Sequence, residues 1–366
     1  MAQLFDPISI NNMNLSNRFV RSATWEGLAT TDGAVTPRLI DIMVALAEGG
    51  IGLIITGYTF VSPEGQSSPG QLAIFDDRFQ PGLRQMVGSV HGAGAKIALQ
   101  IVHGGTFADP RLTNAEVIGP SDIEKDGKRT CRSMIKKEIE NVISLFGKAA
   151  IRAKHCGFDA VQLHAAHGFL ISQFLSPAFN RRTDEYGGSL SNRARLLLEV
   201  VQNVRKAVGR NYPLLVKLNS EDFLEGGLTR EEAVQISVML ERASIDGIEF
   251  SGGTVASMES LTPPRPGRLT IPEKEVYYRD AALLYKKIVR IPLMLVGGIR
   301  SYGVASQVVQ SGMADLVALS RPLIREPDLV KRWRDGDRRD PECISCNACF
   351  GPASEGKGLY CVIQDQ

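Results

Sequence analysis

The 366 residues include 43% hydrophobic and 22% charged side chains, with a formal net charge of +2. That is enough apolar material for a large core, and too little charge imbalance to make nucleic acid or an anionic membrane the expected partner. No apolar run approaches the roughly 20 residues that span a bilayer, and the opening MAQLFDPISI lacks a secretory signal pattern, so a soluble cytoplasmic chain is expected.

Along the chain, LFDPISINNMNLSNR predicts a short N-terminal hairpin. Eight short apolar runs follow: NRFVRSA, GLIITG, KIALQIVH, FDAVQLH, PLLVKLN, DGIEFSGG, PLMLVGG and ADLVALSRP. Most are continuous rather than alternating, as strands of a parallel sheet covered on both faces should be. Longer amphipathic stretches separate them. The clearest is LTREEAVQISVMLERASI, where Thr229 precedes Glu232 by three residues and predicts a capped helix. Residues 104–134 lack periodicity and predict a long loop after strand three, a candidate lid. Eight strand–helix units predict an α/β fold, a (β/α)8 TIM barrel. An open doubly wound sheet is the alternative, but no G-x-G-x-x-G follows an early strand.

The C-terminal ends of barrel strands face the active site. That rule collects Ser22, Thr24, Gly57, Tyr58, Gln100, His103, His164, His167, Lys217, Asn219, residues 251–253, Gly297, Gly298, Ser320 and Arg321. The last two units suit a phosphate, held by backbone N–H groups and a charge-assisted bond from Arg321; glycines that merely make tight turns are the alternative. His164 and His167, two of only five histidines, could donate hydrogen bonds to a carbonyl oxygen. A structural role or a zinc pair are the alternatives, the latter lacking a third ligand nearby. Lys217 inside an apolar run requires an anion or an electron-rich ring close by. Gln100 offers a donor and an acceptor, as an imide edge needs.

The stretch HAAHGFLISQFLSPAFNRRTDEYGGSLSNRARLLLEVV, with LVGGIRS and ADLVALSRPLI, resembles the old yellow enzyme family (NADH:flavin oxidoreductase) over nearly the whole chain. The resemblance implies an FMN-binding barrel over residues 1–340 and an ene-reductase passing hydride from NAD(P)H through FMN to an activated C=C bond. It implies that Ser22, Ala23, Thr24, Gly57 and Tyr58 lie along the flavin ring and that Gln100 bonds its pyrimidine edge. Lys217 would stand where negative charge appears on reduction, and Gly297, Gly298, Ser320 and Arg321 would hold the phosphate. His164 and His167 would grip the substrate's carbonyl, an enone, enoate or CoA thioester. Many relatives have Tyr where this chain has Phe169, so either Tyr58, another tyrosine on a mobile loop or water supplies the proton, or the chemistry differs. Trp25 replaces a small residue of other relatives. A homo-oligomer is expected.

Residues 341–366 form a short cysteine-rich extension. Cys343, Cys346, Cys349 and Cys361 follow C-x2-C-x2-C-x11-C, a spacing able to hold a [4Fe–4S] cluster. Zinc or free thiols are the alternatives. The segment resembles that of 2,4-dienoyl-CoA reductase and trimethylamine dehydrogenase type proteins, which implies electron relay to a redox partner. An FMN/iron–sulfur subunit of a larger reductase is therefore the alternative function. A non-redox barrel using only the phosphate site is a third.

Overall fold

In the computed structural model, which describes residues 1–363, all eight apolar runs become strands of one closed parallel sheet. The N-terminal segment forms the expected antiparallel hairpin, β1 (Ile8–Ile10) and β2 (Met13–Leu15). Asn11 turns it at φ 50°, a left-handed conformation that Asn tolerates better than most residues. Next come β3 (Phe19–Arg21), β4 (Leu53–Ile55), β5 (Thr59–Phe60) and β6 (Lys96–Val102). Three short strands then lie within 104–134: β7 (Ile118–Gly119), β8 (Ile123–Lys125) and β9 (Lys128–Ser133). The remaining strands are β10 (Ala160–Ala165), β11 (Leu214–Asn219), β12 (Gly247–Ser251), β13 (Leu293–Leu295) and β14 (Leu316–Leu319). The ring runs β3, β4, β6, β10, β11, β12, β13, β14 and back to β3, all parallel, with β5 extending it beside β6.

Period two along each strand divides the side chains between two environments. One set, with Phe19, Ile54, Leu99, Leu163, Val216, Phe250 and Leu319, packs outward against the helices. Helix Arg195–Val208, for example, buries Leu196, Leu197, Val200, Val201, Val204 and Val208 against it. The other set fills the barrel. Its lower part is apolar: Val20, Leu53, Ile55, Ala98, Ala160, Leu215, Met294 and Leu316, plugged from below by Ile10, Met13 and Leu15 of the hairpin. Two residues further along the strands the inward positions turn polar, which places the chemistry at the C-terminal mouth.

The expected loop 104–134 is more ordered than its composition suggests, and none of its residues lines the main cavity. It holds a small sheet in the order β7-β9-β8, and Asp126-Gly127 turns β8 into β9 with φ 52° and 70°. Asp-Gly with both φ positive is the preferred two-residue hairpin turn. The sheet is fastened to the segment around residues 181–182, in the loop after β10. Arg181 N–H donates to Ser121 Oγ at 2.8 Å, and Arg182 Nη1 donates to Pro120 O at 2.9 Å and Met134 O at 2.8 Å. The NRRTDEYGGSLSNR stretch thus braces this sheet as well as its own loop.

Helix Arg230–Arg242 carries the predicted capping box: Thr229 Oγ1 accepts from Glu232 N at 3.2 Å, and Glu232 Oε2 accepts from Thr229 N at 3.3 Å. Thr229→Ala should cost about 1 kcal/mol of stability in urea melts, with catalytic rates unchanged. A loss below about 0.3 kcal/mol, outside the usual range for a cap, would show that this box contributes little.

Candidate active site

The main cavity, about 340 Å³, opens at the C-terminal mouth of the barrel, within the size range of small-molecule pockets. Ser22, Ala23, Thr24, Tyr58, Gln100, His164, His167, Lys217, Ser251, Gly297, Gly298, Ser320 and Arg321 all line it, whereas Asn219, Gly252 and Gly253, which the strand-end rule also collected, do not. Nor does Gly57. A Cβ there would lie 2.3 Å from Glu26 Oε2 and 2.8 Å from Thr24 O, so Gly57 is needed for close packing behind the wall. His103 is buried nearby under Gly65 and is likewise absent from the lining.

The floor is a hydrogen-bonded chain across neighbouring strands. Gln100 on β6 is opposite Gln162 on β10, and Lys217 on β11 is opposite Glu249 on β12. Gln100 Nε2 donates to Gln162 Oε1 at 2.7 Å, and Gln162 Nε2 donates to Glu249 Oε2 at 2.9 Å. Lys217 Nζ donates to Glu249 Oε1 at 2.9 Å and to Ser22 Oγ at 2.7 Å, while Ser22 donates to Glu249 Oε1 at 2.6 Å. Glu249 is therefore the anion that Lys217 required. Neither it nor Gln162 was singled out from the sequence, although an acid between Ile248 and Phe250 inside the apolar run DGIEFSGG was a readable signal. Gln100 Oε1 is buried with no partner.

Above the floor stand the two histidines. Their rings are 5.1 Å apart at 81°. His164 Nδ1 accepts the Ala166 N–H at 3.3 Å, which leaves Nε2 as the protonated nitrogen of a neutral ring. His167 has φ 61°. Its N–H donates to Asn219 Oδ1 at 3.0 Å, and its Nε2 lies 2.7 Å from Ser251 Oγ. Burial, then His167, then Lys217 hold the His164 imidazole well below its ordinary range. Burial and Lys217 do the same to His167. Two neutral imidazoles at one spot can orient an electron-rich atom without carrying charge. Tyr58 Oη pairs with Ser68 Oγ at 2.8 Å, and burial pushes its hydroxyl up to about 12. Phe169 packs on both His164 and Tyr58, with ring centroids at 4.7 and 5.2 Å.

The opposite end is cationic and glycine-rich. Gly297 and Gly298 have φ 122° and 73°, and a Cβ on them would lie 2.6 Å from Tyr278 and 2.5 Å from Tyr277. The tight-turn reading of these glycines therefore holds, and their backbone also lines the cavity. Thr24 Oγ1 and Ser320 Oγ are 2.7 Å apart. Arg321 Nη1 reaches Arg265 O at 3.1 Å, Ser345 O at 2.8 Å and Asn347 Oδ1 at 2.8 Å. That arginine ties the cysteine segment to the mouth. The roof comes from the loop after β12, through Val255, Pro263, Pro264 and Arg265, and from Ser345 and Phe350 of the tail. Trp25 is anchored by a 3.1 Å bond from Nε1 to Pro69 O and packs with Cys349, Phe350 and Ala353.

Cys343, Cys346, Cys349 and Cys361 line a second, smaller cavity on the far side of Arg321. Burial pushes the Cys349 thiol up to about 11 and raises that of Cys343. Arg325 Nη1 lies 3.5 Å from Cys361 Sγ. Among the described residues no three His, Cys, Asp or Glu side chains meet as ligands of a single metal ion. Also among them, no helix is long and apolar enough to cross a membrane.

The family model described as "NADH:flavin oxidoreductase / NADH oxidase family" matches residues 3–340. The NADH oxidase of Thermoanaerobacter brockii is 39% identical over 357 residues, 95% of this chain and 53% of that protein. The cinnamate reductase of Clostridium sporogenes is 31% identical over 385 residues, 98% of this chain and 57% of that protein. A solved complex of 2-naphthoyl-CoA reductase with 2-naphthoyl-CoA superposes with a TM-score of 0.89 at 30% identity, covering 98% of this chain and 56% of that one. The chain thus spans about half the length of each of these relatives.

Burial also holds His103 down, to about 4. A native imidazole with a lowered value stays neutral while the denatured chain takes up its proton near 6.5. Stability from His103, His164 and His167 is therefore intact above that pH and is lost as the pH falls below it. Urea melts should show this decline, and His103→Gln should flatten it by about 1.4 kcal/mol per pH unit, one proton's worth. An unaltered slope would mean that His103 protonates in the native state.

Proposed function

The chain belongs to the NADH:flavin oxidoreductase / NADH oxidase family and is an oxidoreductase of the old yellow enzyme type, and from that premise we propose that it is an FMN-dependent ene-reductase. It would reduce the activated C=C bond of an α,β-unsaturated carbonyl compound at the expense of NADH or NADPH. The observation that carries this reading is the pairing of two neutral imidazoles with an unpartnered Gln100 acceptor in one cavity over Lys217.

These residues fit FMN at both ends. The orphaned Gln100 Oε1 suits an imide N–H. Ser22, Ala23 and Thr24 supply a wall, and the backbone of Gly297, Gly298 and Ser320 with the Arg321 guanidinium suits a phosphate. When bound there, FMN would supply two-electron hydride-transfer chemistry between a nicotinamide and the substrate. Around it, His164 Nε2–H and the His167 ring hold the substrate's carbonyl oxygen, where negative charge develops. Tyr58 keeps its proton at neutral pH and is the proposed donor to the α-carbon, because Phe169 has no proton to give. Trp25, Phe169, Val255 and Phe350 present apolar surface that excludes water.

That surface favours a flat, aryl-conjugated enoate or its CoA thioester. Cinnamate, named for one relative, is an aryl-conjugated enoate, and 2-naphthoyl-CoA, named for another, is a flat aryl thioester.

A second reading concerns the tail, taken as residues 341–366, of which residues 364–366 lie outside the described part. A four-iron cube takes one thiolate at each of four separate corners, so its ligands ring a cavity, as these four cysteines do, rather than meeting at one ion. With Arg321 between the two cavities, the chain would then act as an FMN/[4Fe–4S] unit exchanging electrons with a partner.

Anaerobic assays should show NADH or NADPH oxidised when cinnamate-like enoates or aryl enones are added. His164→Asn and His167→Asn should each lower kcat/KM about 10²-fold, as loss of an oxyanion donor does. Turnover untouched by both substitutions would contradict the role of the pair. Phe169→Tyr should raise the rate if proton supply limits turnover, and an unchanged rate would assign that step elsewhere. Iron and sulfide analysis of anaerobically purified protein should give four of each per chain, falling sharply in Cys346→Ala. Their absence would remove the second reading.

A further inference from the structure

The polar floor contains one group that orders the others. Glu249 is fully buried, and each of its hydrogen bonds is donated to it, by Ser22 and Lys217 at Oε1 and by Gln162 at Oε2. A carboxylate accepts only, and this decides the amides in sequence. Gln162 must turn its NH2 toward Glu249, which leaves its oxygen to receive the Gln100 NH2 at 2.7 Å. Gln100 is then left with its oxygen buried and unpaired at the cavity lining. Had Glu249 been a donor, the whole row could reverse and present an NH2 instead. The same carboxylate faces Lys217 Nζ at 2.9 Å, with both side chains 2% exposed or less. The ammonium under the cavity is therefore half of a neutral pair rather than a free cation.

We propose that Glu249 is the positioning residue of the flavin site: it aims the Gln100 acceptor and offsets the charge of Lys217. The inference rests on the FMN reading above. Its consequence is electrostatic. Negative charge added to a ring over Lys217 is stabilised by the ammonium and opposed by the carboxylate. Glu249 thus keeps the bound flavin a stronger reductant than Lys217 alone would allow, which suits hydride delivery to a poorly activated enoate.

The test is an anaerobic redox titration of FMN bound to the wild-type protein and to Glu249→Gln. The substitution should raise the midpoint potential by at least about 30 mV, equivalent to a tenfold preference for the reduced cofactor. FMN bound to Glu249→Gln at the wild-type potential, or a lower one, overturns the proposal. If Glu249→Gln does not retain FMN, Lys217→Met/Glu249→Gln decides, because it leaves no unpaired buried charge. Recovered binding supports the pairing, and no recovery overturns it. A wild-type protein without FMN overturns both this inference and the reading beneath it, whereas FMN with an unmoved potential overturns the inference alone.

Discussion

The ion pair between Lys217 and Glu249 is the constraint on which the mouth of the barrel depends. A buried charge without a partner is strongly unfavourable, so neither residue can be placed inside a barrel alone. The (β/α)8 geometry solves this by register: β11 and β12 lie side by side, and Lys217 is opposite Glu249. The same layer carries Ser22 and Gln162 within hydrogen-bond distance of the carboxylate. One strand-length of alternation therefore separates an apolar plug from a fully bonded polar floor.

The rest of the site rests on that floor. β10 contributes Gln162 to the polar row and, two residues on, His164 to the cavity wall. The backbone then turns through His167, whose N–H is held by Asn219 from the next strand. The roof comes from distant sequence, the loop after β12 and the cysteine segment, which Arg321 fastens across the mouth. Arg321, Ser345 and Phe350 connect the main cavity to the region of the four cysteines, so the tail belongs to the architecture of the site whether or not it carries iron.

Much of this was legible in the residues. The eight apolar runs fixed the barrel because each is short, β-rich and followed by a helix-length amphipathic stretch. Twelve of the thirteen residues assigned to catalysis or cofactor line one cavity, eleven of them at strand ends and Ala23 through the family resemblance alone. Gly57 fails the strand-end rule, since a glycine needed for packing against Glu26 looks the same in sequence as one needed for a ligand. The subsidiary sheet was missed although Asp126-Gly127 is a strong hairpin signal, since its strands are too short and polar to show periodicity. Glu249 and Gln162 were missed because partnership across strands is a property of register, and register cannot be seen in one sequence. The tail's part in the roof depends likewise on contacts between positions far apart in the chain.

The central claim is that this mouth holds one FMN, with Gln100 at its imide end and Arg321 at its phosphate. Stoichiometric titration of the flavin-stripped protein with FMN and with riboflavin, followed by flavin fluorescence, tests it most directly. The account predicts one FMN per chain, with riboflavin bound at least about 100-fold more weakly for want of the charge-assisted phosphate contacts. Binding of neither compound, or equal affinity for both, would contradict it.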